Sequence, residues 1–202
     1  MHPLNSIKGA ITTGVVIAVI VGIWLNVWSG LGFAFHMVRI DLWLHIVAGV
    51  MWIGLLYYFN VVQTPGLAVA AADKEGPGGA GISKYIAPRA LLWFRWAAVV
   101  TWLSGAIYLM GGFGNPGVIF KAFSLQSGFR AIGVGAWLGT IMLFNVWVFI
   151  WPNQKKILGL VPATDDEKAV ARKIAGKASR INFILSLPML LCMGGQAHGL
   201  PF

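Results

Sequence analysis

Charge is scarce in this sequence, and acid is scarcest. Of 202 residues 10% are charged and only 6 are Asp or Glu, where a soluble globular domain carries roughly 25% charged residues. That is too little polar side chain to cover a water-soluble globule. Cysteine is reduced to Cys192, which excludes an internal disulfide. With no CxxC or CxxCH, the sequence offers neither a covalently attached c-type haem nor a four-cysteine metal centre. No P-loop and no G-x-S-x-G occurs, so nucleotide-driven and serine-hydrolase chemistry have no support. What is abundant is apolar: 58% hydrophobic residues, 10 Trp and a mean hydropathy of +0.77. Trp gathers at the headgroup level of a bilayer. In so apolar a chain the net charge of +9 reads as membrane-flanking Lys and Arg rather than as a nucleic-acid surface.

A bilayer core needs about 20 apolar residues in helical form. Five stretches qualify: Ile11–Trp28, Leu42–Val62, Leu91–Met110, Ala131–Trp151 and Ile181–Ala197. The first is longer than a signal-peptide core and lacks a small-x-small cleavage site after Trp28, so it reads as an uncleaved anchor. Residues 70–83 read as a Gly- and Ala-rich flexible loop. Around 164–179, Thr164 precedes three acids, and Lys168, Arg172, Lys173 and Lys177 follow. An N-cap, acidic first turn and basic last turn suit a short helix on the membrane surface leading into the fifth span. The expectation is an all-α integral membrane protein, 1–202 forming a single membrane domain.

Orientation follows from the basic residues. With five spans, the N-terminus and the second and fourth loops share one side and hold eleven Lys and Arg. The other side holds three, Arg39, Lys121 and Arg130. That bias places the N-terminus in the cytoplasm and the C-terminus outside.

An internal repeat appears at an offset of 85 residues. Trp52, Gly54, Phe59, Asn60 and Val61 recur as Trp137, Gly139, Phe144, Asn145 and Val146, and Arg95 recurs as Arg180. Spans two and three therefore resemble spans four and five. The copies run parallel, giving a four-helix bundle from a two-helix repeat plus an additional N-terminal helix.

The repeat does not produce the histidines: His45 aligns with Arg130, and His198 with Phe113. Both histidines fall within about one turn of the outer interface at 1.5 Å rise per residue, with His36 and Asp41 on the same side. Ionisable groups at membrane depth point to function, and imidazole ligates haem iron and other metals. Three readings are open. His45 and His198 form a ligand pair, one of them acts alone, or His198 is solvated while His45 bonds to backbone or to Asp41. Arg95, four residues into span three, either snorkels to the headgroups or holds a haem propionate or an anionic substrate. Asn60, Asn145, Asn182 and Gln63 read as interhelical hydrogen-bonding groups, and Gly49, Gly54, Gly105, Gly135 and Gly139 as points of close helix contact. Pro188 is expected to bend span five or open its backbone.

The segments Leu44–Gly54, Tyr58-Phe59-Asn60, Phe94-Arg95-Trp96-Ala97, Thr101–Gly105, Phe144–Trp147 and Asn182–Pro188, with His198 behind them, resemble the membrane domain of bacterial urate hydroxylases, the urate oxidase N-terminal family. The resemblance covers about residues 40 to 199. It implies a multi-span domain of the bacterial inner membrane, associated with urate oxidation and coupled to a C-terminal cytochrome c. By resemblance, His45 and His198 match histidine positions of the family motif. This chain carries no CxxCH, so the expectation is the membrane part without that cytochrome.

Three functions compete. The first is a redox protein that binds haem b, or copper, through His45 and His198 and exchanges electrons with a periplasmic cytochrome c. The second is a non-catalytic accessory subunit of a larger respiratory or bioenergetic complex. The third is a copper-handling or transport protein with Met37, Met193 and Cys192 as soft ligands.

Overall fold

The computed structural model describes residues 6–30, 36–111 and 117–201. The chain divides into two compact units, Met1–Met37 and Val38–Phe202. The first contains α1, Ile7–Trp28, with a mean hydropathy of 2.2 over its most apolar window. Ser6 caps it by accepting the N–H of Gly9 at 3.0 Å, and Trp24 stacks on Trp28 one turn later.

The second unit is built from α2 (Met37–Ala72), α3 (Ile82–Gly111), the short α4 (Val118–Phe123), α5 (Arg130–Ile157) and α6 (Asp165–His198). No strand occurs among the described residues. With α1, five helices there are long and apolar enough to cross a membrane, as the five apolar runs require. Each extends past its apolar core, because polar residues outside hydrocarbon still continue a hydrogen-bonded helix. The Gly-rich loop shrinks to residues 73–79 for the same reason.

Three runs widen to π-helix: Tyr58–Gln63 in α2, Ile82–Ile86 at the start of α3 and Asn145–Ile150 in α5. Each is followed two residues later by a proline, Pro65, Pro88 or Pro152. Proline has no N–H for the carbonyl four residues back and its ring crowds that carbonyl; a wider turn relieves both. The wide turns of α2 and α5 fall at Asn60 and Asn145, the repeated asparagines. Pro188 lies inside α6 without breaking its α-helical pattern.

The basic segment expected as a surface helix is the N-terminal half of α6 and not a separate element. The cap was legible: Thr164 and Glu167 form a reciprocal capping box. The join was not, because nothing interrupts the helix before Ile181. Gly176 alone costs only about 1 kcal/mol against Ala, and Ala171, Ala175, Ala178 and Asn182 carry one buried stripe across the junction. The result is a helix of 34 residues, about 51 Å long at 1.5 Å per residue, against roughly 30 Å of hydrocarbon.

The core joins Trp52, Leu56 and Phe59 of α2, Leu91, Phe94 and Ala98 of α3, Met142, Val146 and Ile150 of α5, and Ala178 and Met189 of α6. α5 packs most extensively against α6. Several asparagines are paired across helices. Asn145 donates to Asn182 at 2.8 Å, and Asn182 donates to the Met142 carbonyl at 2.9 Å. Asn60 donates to Ser179 at 2.9 Å. Both repeated asparagines thus dock on α6. A smaller cluster holds Leu109, Val118, Ala122 and Ala136, where Gly133 leaves room for the Ala122 carbonyl that any Cβ would strike.

Candidate functional site

A cavity of about 450 Å³ lies among α2, α3, α4, α5 and α6, and His45 and His198 both line it. The two histidines therefore come together at one void although 153 positions separate them in the chain. Most of the lining is apolar, including Leu42, Ile46, Leu109, Ile132, Met189 and Met193. Its polar groups are the histidines, Thr101, Tyr108, Gln196 and the indoles of Trp52 and Trp102, with no Lys, Arg, Asp or Glu. The volume falls in the range of about 300–1,000 Å³ typical of small-molecule and cofactor sites.

His45 is fixed by α3. Its Nδ1 lies 2.8 Å from the carbonyl oxygen of Thr101. A carbonyl only accepts, so Nδ1 carries the proton and, in the neutral ring, Nε2 keeps a lone pair. Ligating histidines are commonly oriented this way by a carbonyl on the other nitrogen. The ring reaches Thr101 because Gly105 has no side chain: a Cβ there would stand 2.8 Å from His45 Cε1 and 3.0 Å from Nδ1. The partner is thus a backbone carbonyl rather than Asp41, which stands one turn earlier in α2 with a buried carboxylate oxygen that makes no hydrogen bond.

His198 is the last residue of α6 and is exposed, placing it where the cavity meets the surface. Gly199 ends the helix behind it with φ +84°, a conformation that favours glycine. Two residues earlier, Gln196 ties α6 to the start of α5: it accepts the N–H of Ile132 at 3.1 Å and donates to the Gly128 carbonyl at 2.9 Å. One of the orphan N–H groups of the first turn of α5 is satisfied by that bond, and the end of α6 is held in place.

Trp52 lines the cavity two turns further into α2 than His45. It is 2% exposed, and its Nε1–H has no acceptor. Its repeat counterpart Trp137 donates to the Phe123 carbonyl at 2.9 Å, and Trp102 donates to Thr140 at 2.8 Å. A buried donor left unpaired costs about 1–3 kcal/mol, a cost that an acceptor reaching it would relieve. Sequence reasoning grouped Trp52 with the repeat and had no means to see that its N–H, unlike that of Trp137, lacks a partner.

Arg95 is not at this cavity. Its guanidinium lies 3.8 Å from the ring centroid of Trp151, in α5. His36 is exposed at the start of α2; His2 and Phe113 lie outside the described residues. Among the described residues no group of three or more His, Cys, Asp or Glu is placed to hold a metal ion.

Residues 116–201 match the family described as urate oxidase N-terminal. The region matched to the urate oxidase family runs from α4 to α6 and contains His198, Gln196 and the Asn145–Asn182 pair; His45, Trp52 and Thr101 lie before it. No curated protein and no solved structure matches the chain.

Proposed function

We propose that this chain is a redox-type integral membrane protein related to the urate hydroxylases, with the cavity flanked by His45 and His198 as its working site. The observation that carries this reading is that the two histidines, unrelated by the repeat, line one apolar cavity, with His45 Nε2 left available by the Nδ1–Thr101 bond. This donor set suits haem b: His45 and His198 would supply imidazole nitrogens to the iron, and the apolar lining would hold the macrocycle. When bound, haem supplies one-electron chemistry. His45 would ligate from a fixed ring, and His198 from the mouth. The lining holds no cation for the propionates, so Arg95 has no part in this cavity. A closed copper site finds less support, since among the described residues no third His, Cys, Asp or Glu joins the pair.

The wider reading places the chain in a bacterial inner membrane with the N-terminus cytoplasmic, the cavity near the periplasmic face and a periplasmic cytochrome c as electron partner. Spans two to five form the proposed four-helix bundle. A wide turn that includes the repeated asparagine in each half, Asn60 in α2 and Asn145 in α5, supports the repeat. Absorption spectra of the detergent-purified protein, oxidised and reduced, test the reading. A Soret band is expected, and His45→Ala and His198→Ala are each expected to remove or shift it while the protein stays inserted. A colourless wild type would remove haem from the proposal; fixed-stoichiometry co-purification with other subunits would then favour an accessory role.

Trp52 favours a second occupant for the same space. An unpaired neutral donor on a lining that holds no Lys or Arg among the described residues suits a neutral carbonyl oxygen better than a carboxylate, as on the planar ring of a membrane quinone. Trp52→Phe keeps the ring and deletes the donor. On this reading it weakens quinone binding by up to about tenfold, the worth of one hydrogen bond. Equal binding by wild type and variant would eliminate it.

A further inference from the structure

Arg95 and Lys155 approach one indole ring. The Arg95 guanidinium lies 3.8 Å from the Trp151 centroid, and Lys155 Nζ lies 6.0 Å from the same centroid. Two cations that share a ring repel each other, and no carboxylate offsets them: among the described residues the side-chain ion pair is Lys168–Asp165. A half-buried cation–π contact contributes only about 1–2 kcal/mol and neutralises neither charge, so the pair is electrostatically incomplete without an anion. One turn earlier in α5, Trp147 meets Trp96 edge-on at 5.6 Å. The Trp147 Nε1–H is buried and has no acceptor.

Depth identifies the anion. Arg95 stands four residues inside the apolar run that begins at Leu91, and Trp151 closes the run that begins at Ala131. The two meet at the edge of the hydrocarbon, where an arginine inside the run snorkels outward. Trp147 lies one turn, about 5.4 Å, nearer the bilayer centre. A glycerophospholipid presents the same order, its phosphate outside and its ester carbonyls a few ångströms deeper. The exposed Trp96 and Val148 offer apolar surface for its chains. Basic pockets between membrane helices bind anionic headgroups in this way.

We propose that Arg95, Lys155 and Trp147 form a site for one anionic glycerophospholipid, with its phosphate between the two cations and an ester carbonyl on the Trp147 N–H. The site is separate from the cavity and independent of what the cavity holds. Its test is native mass spectrometry of wild type, Arg95→Gln, Lys155→Gln and Trp147→Phe after exchange into phosphatidylglycerol, into its dialkyl-ether analogue, which lacks ester carbonyls, and into phosphatidylcholine. Wild type is expected to retain phosphatidylglycerol over phosphatidylcholine, and each glutamine variant to lose roughly tenfold in retention. Wild type should prefer ester over ether lipid, and Trp147→Phe should bind the two alike. Equal retention by wild type and Lys155→Gln, the variant at the helix end least able to disturb folding, overturns the proposal. So does displacement of the lipid by millimolar inorganic phosphate, which would mark a soluble-anion site. An ester preference that survives in Trp147→Phe removes Trp147 from the site.

Discussion

At the scale of single residues, the site depends on a hydrogen atom at position 105. Gly105→Ala puts a methyl group within 2.8 Å of the His45 ring, and the ring must leave the Thr101 carbonyl. We expect a cost of about 1–3 kcal/mol from overpacking, read as a lower thermal midpoint, with any ligand-derived absorption lost or shifted. An unchanged spectrum would show that the Nδ1–Thr101 bond does not set the site. Gly105 was legible as a point of close helix approach, and His45 as an ionisable group at membrane depth. That one makes room for the other was not, because the contact joins α2 to α3 across 60 positions. The Asn145–Asn182 bond offers a second check. A double-mutant cycle to Ala should give a coupling near 0.6 kcal/mol and no more than about 1.7, the range found for interhelical bonds in membranes. Zero coupling would mean that the pair only fills space.

Elements were legible where apolar length alone decides them, and illegible where polar chain continues a helix. The five runs located the five long helices, but the basic segment before Ile181 looked like an element of its own. Its cap, acids and bases describe a complete helix, and the buried alanine stripe that fuses it to the span is no different from ordinary helix composition. Thr164→Ala removes one half of the capping box and should destabilise the first turns of α6 by about 1 kcal/mol. Hydrogen exchange should therefore quicken at residues 165–168 while Asn182 and its neighbours stay protected. Faster exchange along the whole helix would show that the cap supports the fold globally. The π turns were likewise hidden: a proline near the end of an apolar run reads as a stop, yet Pro65 and Pro152 are absorbed by widening the turn before them.

For the whole molecule, composition pointed to membrane helices, five of which are long and apolar enough to cross a bilayer among the described residues, and the charge bias gives each loop an expected side. A reporter that is active only outside the cytoplasm, fused after Phe202, should be active, and one inserted in the loop at residues 73–79 should be silent. The reverse pattern would invert the topology and move the cavity mouth and His198 to the cytoplasmic side. The cavity itself could not be read from sequence. Its walls come from five of the described helices, and its volume is set by side chains whose packing no local pattern encodes.

The unbroken course of α6 has a mechanical consequence. Helices are stiff along their axes, so the capped, charged end and the end bearing His198 belong to a single rod longer than the bilayer is thick. A rotation of that rod imposed at one surface is passed toward the imidazole at the other, through Pro188, where one backbone hydrogen bond of the helix is missing. The clamp of Gln196 on the start of α5 opposes that rotation, which makes it the bearing in which the rod sits.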